Sequence, residues 1–546
     1  MTTARRKFWG WGTEDQTVSA DERAFLIAAF GRRYSTALPA PVPPPQVEDI
    51  PLRSPRLSPP STLQRIATTE PRERLIHAYG KSFPDSVRMF QRHVPHPPDC
   101  VVYPESEADL IATLDWAGGV GAAVVPFGGG SSVVGGVECD VGDAYKGVVT
   151  VDMARLDRVQ EVDRESRAAR FQAGIFGPAL EAQLKPHGLT LRHFPQSFEY
   201  STLGGWLATR SGGHYATLYT HIDDFVESMR VVTPAGTIET RRLPGSGAGP
   251  QPERLFLGSE GILGIITEAW MRLQDQPKFR ASATARFSDF VAGAKAVRAL
   301  GQAGLYPSNC RLIDAAEAAG TGAGDGSSAL LVLAFESADH PLDAWISRAV
   351  ELVRDGGGAI DQPKEEASGH REGAAGAWRN AFLRAPYYRE VLVPLGMIVD
   401  TFETAVTWDK FAAFHAAVTG RMRDVLKRVT GRAGSVTCRF THVYPDGPAP
   451  YFTFQGLGRF DALIEQWREI KEAANDIVVS LGGTVTHHHA VGRDHRSGYV
   501  KESPPLFADA LRAAKKRLDP QGLLNPGVLL DPADHSLGIR GAMRRG

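Results

Sequence analysis

The feature that most limits what this chain can fold into is a glycine-rich loop, residues 126–132 (PFGGGSS). It follows the strand-like segment 123–125 (AVV) and precedes a glycine pair, Gly135 and Gly136. Consecutive glycines allow successive backbone N–H groups to point into one concavity, and the serines add donors, so the pattern predicts a nest for a pyrophosphate. It is not a Rossmann G-x-G-x-x-G loop that opens a helix, and it lacks the lysine of a Walker loop. Taken alone, it is equally compatible with a glycine-rich surface turn.

Two further segments favour the interpretation as a ligand site. Residues 196–202 (QSFEYST) lead into residues 203–209 (LGGWLAT), and residues 258–267 (GSEGILGIIT) again combine glycines with a β-branched run. Short β-branched runs alternate with helix-like stretches throughout residues 97–274, as in an α+β domain. Three glycine-rich elements in one such region therefore predict an α+β ligand-binding domain.

Composition excludes several classes of protein. The 61 Lys and Arg residues balance 62 Asp and Glu residues, and the net charge of −1 gives no reason to expect nucleic acid as a partner. Cys100, Cys139, Cys310 and Cys438 form no CxxC pair, which excludes a disulfide scaffold or a zinc ribbon. No apolar run is long enough to cross a bilayer, and no secretory signal is visible. We expect a soluble intracellular enzyme.

The chain of 546 residues is predicted to have four parts. Residues 1–95 form a mostly helical N-terminal extension with a proline-rich linker, and residues 96–275 form the ligand-binding domain. Residues 276–480 form an α+β substrate (cap) domain, and residues 481–546 form a C-terminal segment that returns to the ligand site. The apolar spacing predicts helices over residues 21–34, 342–354, 408–430 and 506–518, and strands over residues 329–335 and 451–454.

The three glycine-rich segments together resemble the FAD-binding domain of the vanillyl-alcohol-oxidase type. That type has a glycine-rich pyrophosphate loop, an S-T-x-G-G segment and a G-S-E-G-x-L-G segment. The resemblance implies FAD as the cofactor. The cofactor-binding residues that it implies are Pro126, Phe127, Gly128, Gly129, Gly130, Ser131, Ser132, Gln196, Ser197, Phe198, Glu199, Tyr200, Ser201, Thr202, Thr209, Arg210, Ser211, Gly212, Gly258, Ser259, Glu260, Gly261, Ile262, Leu263, Gly264, Ile265 and Ile266.

Residues 210–214 (RSGGH) resemble a motif that carries a covalent flavin histidine in some relatives. In those relatives the motif occupies the pyrophosphate loop, which in this chain is residues 126–132. We therefore interpret His214 as an ordinary loop histidine and predict non-covalent FAD.

Within this superfamily the chain resembles the alkyldihydroxyacetone-phosphate synthase (alkylglycerone-phosphate synthase) family. The resemblance begins at residues 7–12 (KFWGWG) and extends to Leu530. Its distinctive pieces are residues 194–206 (FPQSFEYSTLGGW), 311–314 (RLID), 402–404 (FET), 437–441 (TCRFT), 451–454 (YFTF) and 487–492 (HHHAVG). The three consecutive histidines are the most specific of these.

The resemblance implies roles for six residues. The implied catalytic residues are Tyr451, His487, His488 and His489, and the implied substrate-binding residues are Arg389 and Arg311. A guanidinium binds a phosphate dianion well, which fits the substrate-binding role that the resemblance implies for Arg389. A tyrosine acts as a base at neutral pH only where nearby cations favour its phenolate. Without the resemblance, Tyr451 would be interpreted as a core residue and each arginine as a member of an ion pair.

The implied reaction exchanges the acyl group of acyl-dihydroxyacetone phosphate for a long-chain alcohol, giving an ether lipid precursor with no net redox change. The implied partners are these two substrates and a second copy of the chain in a homodimer. The long chains of both substrates are compatible with peripheral membrane contact. Animal relatives are peroxisomal, but residues 543–546 (MRRG) are not a peroxisomal S-K-L signal, so we expect a cytoplasmic protein.

The histidine run has alternative interpretations. If it is extended, His487 and His489 share one face and His488 the other, so at most two could serve one site directly. The run could instead be a metal site or a turn that contacts flavin. Because Asp494 is the only carboxylate near it in sequence, we predict no metal.

The alternative function is an FAD-linked D-2-hydroxy-acid dehydrogenase or oxidase. Residues 524–530 (LNPGVLL) resemble the end of those enzymes more than that of the synthases. The dehydrogenases typically have E-H-G-I-G where this chain has residues 488–492 (HHAVG), and the missing glutamate removes a metal-ligand carboxylate. This difference favours the synthase. Retention of the implied catalytic and substrate-binding residues disfavours a third hypothesis, a flavin-binding protein without activity.

Overall fold

A computed structural model describes residues 5–39, 41–219, 221–365 and 373–530. The strands of the first half are β1 (Ala67–Thr68), β2 (Cys100–Val102), β3 (Ala123–Phe127), β4 (Val148–Asp152), β5 (Val159–Asp163), β6 (Ala168–Gln172), β7 (Leu189–Thr190), β8 (Val226–Thr233), β9 (Gly236–Glu239), β10 (Ile265–Arg272) and β11 (Gln274–Asp275). The strands of the second half are β12 (Phe279–Phe287), β13 (Asn309–Ile313), β14 (Ala329–Ser337), β15 (Ala359–Ile360), β16 (Lys364–Glu365), β17 (Met397–Glu403), β18 (Ser435–Val443) and β19 (Pro448–Leu457).

The helices of the described ranges fall into two groups, before and after β12. The helices before it are α1 (Ala20–Tyr34), α2 (Pro71–Ile76), α3 (Phe83–Phe90), α4 (Glu107–Val120), α5 (Gly177–Leu184), α6 (Leu203–Thr209), α7 (Ala216–Tyr219), α8 (Ile222–Phe225) and α9 (Glu253–Phe256). Those after it are α10 (Phe290–Gln302), α11 (Ala315–Gly320), α12 (Asp343–Asp355), α13 (Gly373–Leu392), α14 (Trp408–Thr430), α15 (Leu463–Ser480), α16 (Arg496–Glu502) and α17 (Pro505–Leu518).

The first half contains two main sheets. One has the order β1-β2-β4-β3, with β4 parallel to both neighbours, and the other is antiparallel with the order β5-β6-β10-β8-β9. Every residue of β4 is buried, as expected of a central parallel strand covered on both faces. The glycine-rich loop starts where β3 ends, so this sheet positions the predicted pyrophosphate site.

The second half is organised around one antiparallel sheet with the main order β15-β12-β14-β13-β18-β19-β17. Helices α10, α12, α14 and α15 cover one face and bury Phe402, Phe440 and Phe452 in the largest apolar core. Because side chains alternate along a strand, the neighbours Glu403, Arg439 and Tyr451 project from the opposite face. The polar face of this sheet is therefore available for a site. The α+β fold predicted from sequence is confirmed.

Several elements begin and end where the sequence predicted. Helix α1 begins after Ser19, whose side chain and that of Glu22 form a capping box, and it ends at Ser35 in a left-handed conformation. Helix α14 ends before Gly431, which is also left-handed (φ 73°). Among the described residues, no helix combines the length and the apolar character that a membrane span requires.

The N-terminal extension packs against both halves. The ammonium group of Lys7 is buried and lies 2.8 Å from the carboxylate of Glu390 in α13. Phe83, Val87 and Phe90 of α3 belong to the apolar core of the second half. The extension thus contributes to the core beneath the large sheet rather than forming a detached appendage.

Candidate active site

The glycine loop and the second glycine-rich segment lie against each other after β3. A Cβ atom at Gly129 would lie 1.9 Å from the carbonyl oxygen of Tyr200, and one at Gly128 would lie 2.3 Å from Oγ1 of Thr202. These distances leave no room for a side chain at either position. In the described part of the chain, the N–H groups of residues 128–132 donate to no protein acceptor. They are the donors that a pyrophosphate needs, so the loop fits the diphosphate of FAD.

The second segment, residues 196–202, also connects the two halves of the molecule. The side-chain amide of Gln196 donates to the carbonyl oxygen of Phe382 in α13 over 2.8 Å. The hydroxyl of Ser201 accepts a hydrogen bond from the indole of Trp206 over 2.7 Å. The predicted cofactor segment is therefore held by residues of both the first and the second half of the chain.

The third glycine-rich segment joins the loop to the chain beyond the histidine run. A Cβ atom at Gly261 would lie 2.9 Å from Cγ of Pro126. The carboxylate of Glu260 accepts hydrogen bonds from the N–H groups of Val491 and Gly492, each over 2.9 Å. Burial raises the pKa of Glu260 to about 7, and the two hydrogen bonds oppose that rise. One buried carboxyl group thus connects two segments that are far apart in sequence.

The C-terminal tail that resembles the dehydrogenases holds these segments in place. The side-chain amide of Asn525 donates to the carbonyl oxygens of Gly136 (2.9 Å) and Glu260 (2.8 Å). The neighbouring Leu524 pairs with Val124 in a parallel bridge beside β3. These contacts give the tail a structural role that does not depend on the substrate.

Residues 210–212 connect the predicted cofactor site to the cap. Arg210 ends α6 in a left-handed conformation and pairs with Asp223 over 3.0 Å. A Cβ atom at Gly212 would lie 2.9 Å from the ring of His442 and 3.2 Å from Cβ of His488. Only a glycine allows this backbone segment to lie directly against the histidine cluster.

The histidine run is not extended, so the limit of two members per site, which holds for an extended segment, does not apply. Residues 487–489 form bends, and the N–H groups of all three donate to the carboxylate of Glu403, over 3.1 Å for His488 and 2.9 Å for His489. Thr486 adds a hydroxyl donor over 2.6 Å. A single buried carboxylate therefore holds the three side chains around one place.

The imidazole rings form a compact cluster. Nδ1 of His487 lies 3.0 Å from Nδ1 of His488, and its Nε2 lies 2.9 Å from the hydroxyl of Tyr444, which also contacts His221. Burial, reinforced by neighbouring histidines, lowers the pKa of His442, His487 and His488 well below the ordinary value, so these rings are neutral at pH 7. One nitrogen from each of the three lies within 4.8 Å of the others, a spacing that a metal ion could bridge. The absence of metal remains a prediction.

Tyr451 lies on β19 beside this cluster. Its hydroxyl donates to Oγ1 of Thr401 over 3.1 Å, and its ring centroid lies 6.0 Å from that of His488. The guanidinium carbon of Arg439 lies 3.9 Å from the Tyr451 ring centroid, and Glu317 binds that guanidinium over 2.8 Å. Burial raises the pKa of the Tyr451 phenol, while Arg439 and the Thr401 hydrogen bond oppose the rise. The cation thus favours the phenolate.

The two predicted substrate arginines occupy different places. Arg311 lies on β13, 5.0 Å from the ring of Trp378, and its charge contributes to the low pKa values of the nearby histidines. Arg389 lies in α13 and donates to the carbonyl oxygen of Lys81 (2.8 Å) and the carboxylate of Asp400 (3.1 Å). Arg311 therefore belongs to the histidine side of the site, and Arg389 to the edge of the sheet next to the N-terminal extension.

Comparisons with known proteins agree with this architecture. A family model described as "FAD binding domain" matches residues 98–241, and one described as "FAD linked oxidases, C-terminal domain" matches residues 276–529. The alkyldihydroxyacetonephosphate synthase of Trypanosoma brucei brucei is 30% identical over 477 residues, which cover 84% of this chain and 77% of the relative. The chain belongs to the alkyldihydroxyacetonephosphate synthase family. The synthase of Dictyostelium discoideum is similar at 31% identity, with the same coverage of each chain.

Solved structures extend the agreement to the fold of this synthase-family chain. A solved alkyldihydroxyacetonephosphate synthase has a TM-score of 0.79 and 26% identity, and the match covers 95% of this chain and 98% of that one. A mitochondrial D-lactate dehydrogenase of Arabidopsis thaliana is 27% identical, over 86% of this chain and 79% of that one. The resemblance and the FAD cofactor predicted from sequence are confirmed, and the dehydrogenase alternative corresponds to a more distant relative.

The sequence-based reasoning missed the groups that organise the site. The carboxylate beside the histidine run belongs to Glu403 on a distant strand, whereas Asp494 was the only carboxylate near it in sequence. The cation over Tyr451 belongs to Arg439. Both residues lie in segments that carried the family resemblance, 402–404 and 437–441, and this was the available signal. The resemblance assigned Glu403 and Arg439 no role, because only the sheet brings them to the predicted catalytic residues.

Proposed function

We propose that this FAD-dependent alkylglycerone-phosphate synthase uses Tyr451 as the acid/base group that exchanges the acyl chain of acyl-dihydroxyacetone phosphate for a long-chain alcohol. The observation that carries the proposal is the position of the phenol. It is buried on the polar face of the cap sheet between the Arg439 cation and the neutral ring of His488. Gly212, from a predicted cofactor segment, lies against the same ring cluster.

The proton chemistry is assigned to Tyr451 and its immediate neighbours. The phenolate removes a proton from the substrate carbon that carries the ester, and the phenol returns one later in the exchange. Arg439 makes this feasible because a cation against the ring stabilises the phenolate more than the neutral phenol. Thr401 orients the oxygen through its 3.1 Å hydrogen bond to the phenol. When bound, FAD supplies the electron sink for the substrate carbon, so that no net oxidation occurs.

The histidines supply polar contacts of a different kind. Because His487 and His488 are neutral, each ring can donate from one nitrogen and accept at the other. This suits His488 to contact the leaving carboxylate or the incoming alcohol without adding a second fixed charge, while His487 holds it in place from the side of Tyr444. Glu403 positions them through their backbone N–H groups. Both ring nitrogens of His487 already have partners, His488 and Tyr444, so, among the described residues, Nε2 of His488 is the ring nitrogen of this pair that is left for a substrate.

The arginines are assigned to the phosphate of the substrate. Arg389 has one carbonyl and one carboxylate partner, so a phosphate dianion would replace or share the hydrogen bond to Asp400. Arg311 would add positive charge on the histidine side. For the whole protein we propose a cytoplasmic homodimer that meets its long-chain substrates at a membrane surface.

Replacement of Tyr451 by Phe tests the assignment, because it keeps the ring and removes the proton-transferring oxygen. We expect the formation of labelled alkyl product from a labelled long-chain alcohol to fall by about 10²–10⁴-fold, with the flavin absorbance spectrum unchanged. The matched control is Tyr145→Phe, which removes a hydroxyl that donates to Gly522, away from the site. Product formation by Tyr451→Phe at the rate of the control would exclude Tyr451 as the acid/base group.

A further inference from the structure

The N-terminal motif of residues 7–12 (KFWGWG) forms part of a tight strap, defined here as residues 5–14. The N–H of Lys7 donates to the carbonyl oxygen of Gly12 over 3.0 Å, and the N–H of Glu14 donates to that of Arg5 over 2.8 Å. Gly12 has φ +78°, and a Cβ atom there would lie 2.3 Å from Oε1 of Gln16, so this turn requires glycine. The strap is therefore a specifically folded element.

The strap is anchored over the glycine loop. The buried ammonium group of Lys7 pairs with Glu390, and Arg72 binds both the carbonyl oxygen of Arg6 (2.7 Å) and the carboxylate of Glu14 (2.8 Å). From this position the guanidinium of Arg6 reaches the carbonyl oxygen of Gly129 in the loop. The strap thus delivers a cation to the predicted pyrophosphate site.

A second cation, Lys81, lines the same cavity as Arg6. Lys81 follows α2, its N–H donates to the carbonyl oxygen of Ser132 over 2.6 Å, and its ammonium group lies 3.4 Å from the carbonyl oxygen of Lys7. Arg6, Lys81 and the backbone of residues 129–131 line one small cavity, together with the rings of Trp11 and Tyr200. The cavity therefore brings Arg6 and Lys81 next to the glycine loop, with Lys7, which is paired with Glu390, as a third lining cation.

Two of the three cations that line this cavity have no direct carboxylate partner among the described residues. In the ranges that the structure describes, Arg6 and Lys81 take part in no ion pair, whereas Lys7 is paired with Glu390. The acids whose charges act on Arg6 and Lys81 have other direct partners: Asp152 binds His77 over 2.9 Å, Asp85 binds Arg88 over 3.4 Å, and Glu73 accepts a hydrogen bond from the Tyr103 hydroxyl. Burial, reinforced by Arg6 and opposed by Asp85, lowers the pKa of Lys81 to about 7, as expected of a buried ammonium group without a direct ion pair.

We propose that the strap closes an anion site over the glycine loop, in which Arg6 and Lys81 bind a phosphate group. The chemistry fits either the diphosphate of FAD or the phosphate of a small substrate. The N–H donors of the glycine loop favour the diphosphate of FAD. A substrate phosphate is favoured by Arg389, the proposed phosphate-binding arginine, which contacts the Lys81 carbonyl next to the same cavity. The proposal gives the N-terminal extension a function in ligand binding that does not depend on which reaction the enzyme catalyses.

Binding measurements test the proposal without turnover. Arg6→Gln and Lys81→Met are compared with Arg5→Gln, a matched control from an exposed position in the same strap. Apoprotein is titrated with FAD and, separately, with riboflavin, which has no phosphate, and flavin fluorescence is followed. Losing one charge-assisted contact should weaken FAD binding about tenfold or more, with riboflavin binding and the Arg5→Gln control unchanged.

A second arm distinguishes the source of the phosphate. Holoprotein variants are titrated with inorganic phosphate, and thermal stabilisation and the perturbation of the flavin spectrum are recorded. Weaker phosphate binding with full FAD affinity would support the anion site and assign it to the substrate. If Arg6→Gln binds both FAD and phosphate as tightly as Arg5→Gln, the proposal is wrong. Arg6 is only partly buried, so this variant keeps the test decisive even if Lys81→Met does not fold.

Discussion

The strongest quantitative test concerns the cation over the proposed catalytic tyrosine. The Arg439 guanidinium carbon lies 3.9 Å from the Tyr451 ring centroid, and both side chains are buried. Replacing Arg439 with Gln removes the charge and keeps a side chain of similar polarity. Burial already raises the pKa of Tyr451, so loss of the cation that opposes this rise must move the pKa further upward.

The size of the shift follows from the geometry. Two unit charges about 4 Å apart interact by roughly 4 kcal/mol at an effective dielectric constant of about 20. The phenolate charge is spread over the ring and oxygen, which makes the attraction weaker than that of two point charges. We therefore take about half of this energy, ~2 kcal/mol, as the stabilisation of the phenolate that the variant loses, which corresponds to a change of about 30-fold in the ionisation equilibrium.

The assay is the pH dependence of alkyl product formation. Because the phenolate is the active form, its fraction below the pKa falls tenfold for each unit by which the pKa rises. Arg439→Gln should therefore lower the rate at neutral pH about 30-fold and move the rising limb of the profile to higher pH. Arg439→Lys, which keeps the charge, should retain most of the wild-type profile. An Arg439→Gln enzyme whose rising limb coincides with that of the wild type would refute the electrostatic role.

Three further outcomes are expected. Burial opposes ionisation of Glu403, but the neighbouring histidines and hydrogen bonds outweigh it and lower its pKa from 4.5 to about 2. Its folded-state pKa is depressed, so about 3 kcal/mol of stability should be present above pH ~4.5 and lost as the pH falls towards 2. Urea unfolding should show a smaller loss over this pH range in Glu403→Gln than in the wild type, because the buried histidines, whose pKa values are also lowered, contribute a loss of their own in both proteins. Dialysis against a chelator should leave turnover unchanged, since the mechanism gives His442 and His488 no metal; activity lost and then restored by Zn²⁺ would contradict this. Acid precipitation should release all flavin into the supernatant, whereas a yellow pellet from wild type that becomes colourless in His214→Ala would contradict non-covalent binding.

The elements that the sequence predicted correctly are those with strong local signals. The predicted helix over residues 408–430 coincides with α14, and the predicted strand over 329–335 lies within β14. Long apolar periodicity and capping residues act within one segment, so they can be interpreted without knowledge of the fold. The glycine-rich loop was recognisable for the same reason, since consecutive glycines have few conformational uses. The predicted domain boundaries remain predictions.

The arrangement of the histidine run could not be predicted in this way. Its backbone conformation is set by Glu403, which lies 84 positions before His487 in the sequence. Local alternation predicted two faces, but a buried carboxylate with several N–H partners outweighs the preference of a short segment for extended structure. The same reasoning applies to Arg439 and Tyr451, which became neighbours because their strands pair in register.

The sequence by itself therefore determined the α+β class, the glycine segments that are predicted to bind the flavin diphosphate, and the residue types that the proposed chemistry requires. Only the tertiary structure decided which charges act on which groups: Arg439 on Tyr451, Glu403 on the histidines, and Arg6 with Lys81 at the glycine loop. The physical reason is that electrostatic and hydrogen-bond energies depend on distance and burial. Both quantities are created by strand pairing and chain packing between residues that are remote in sequence.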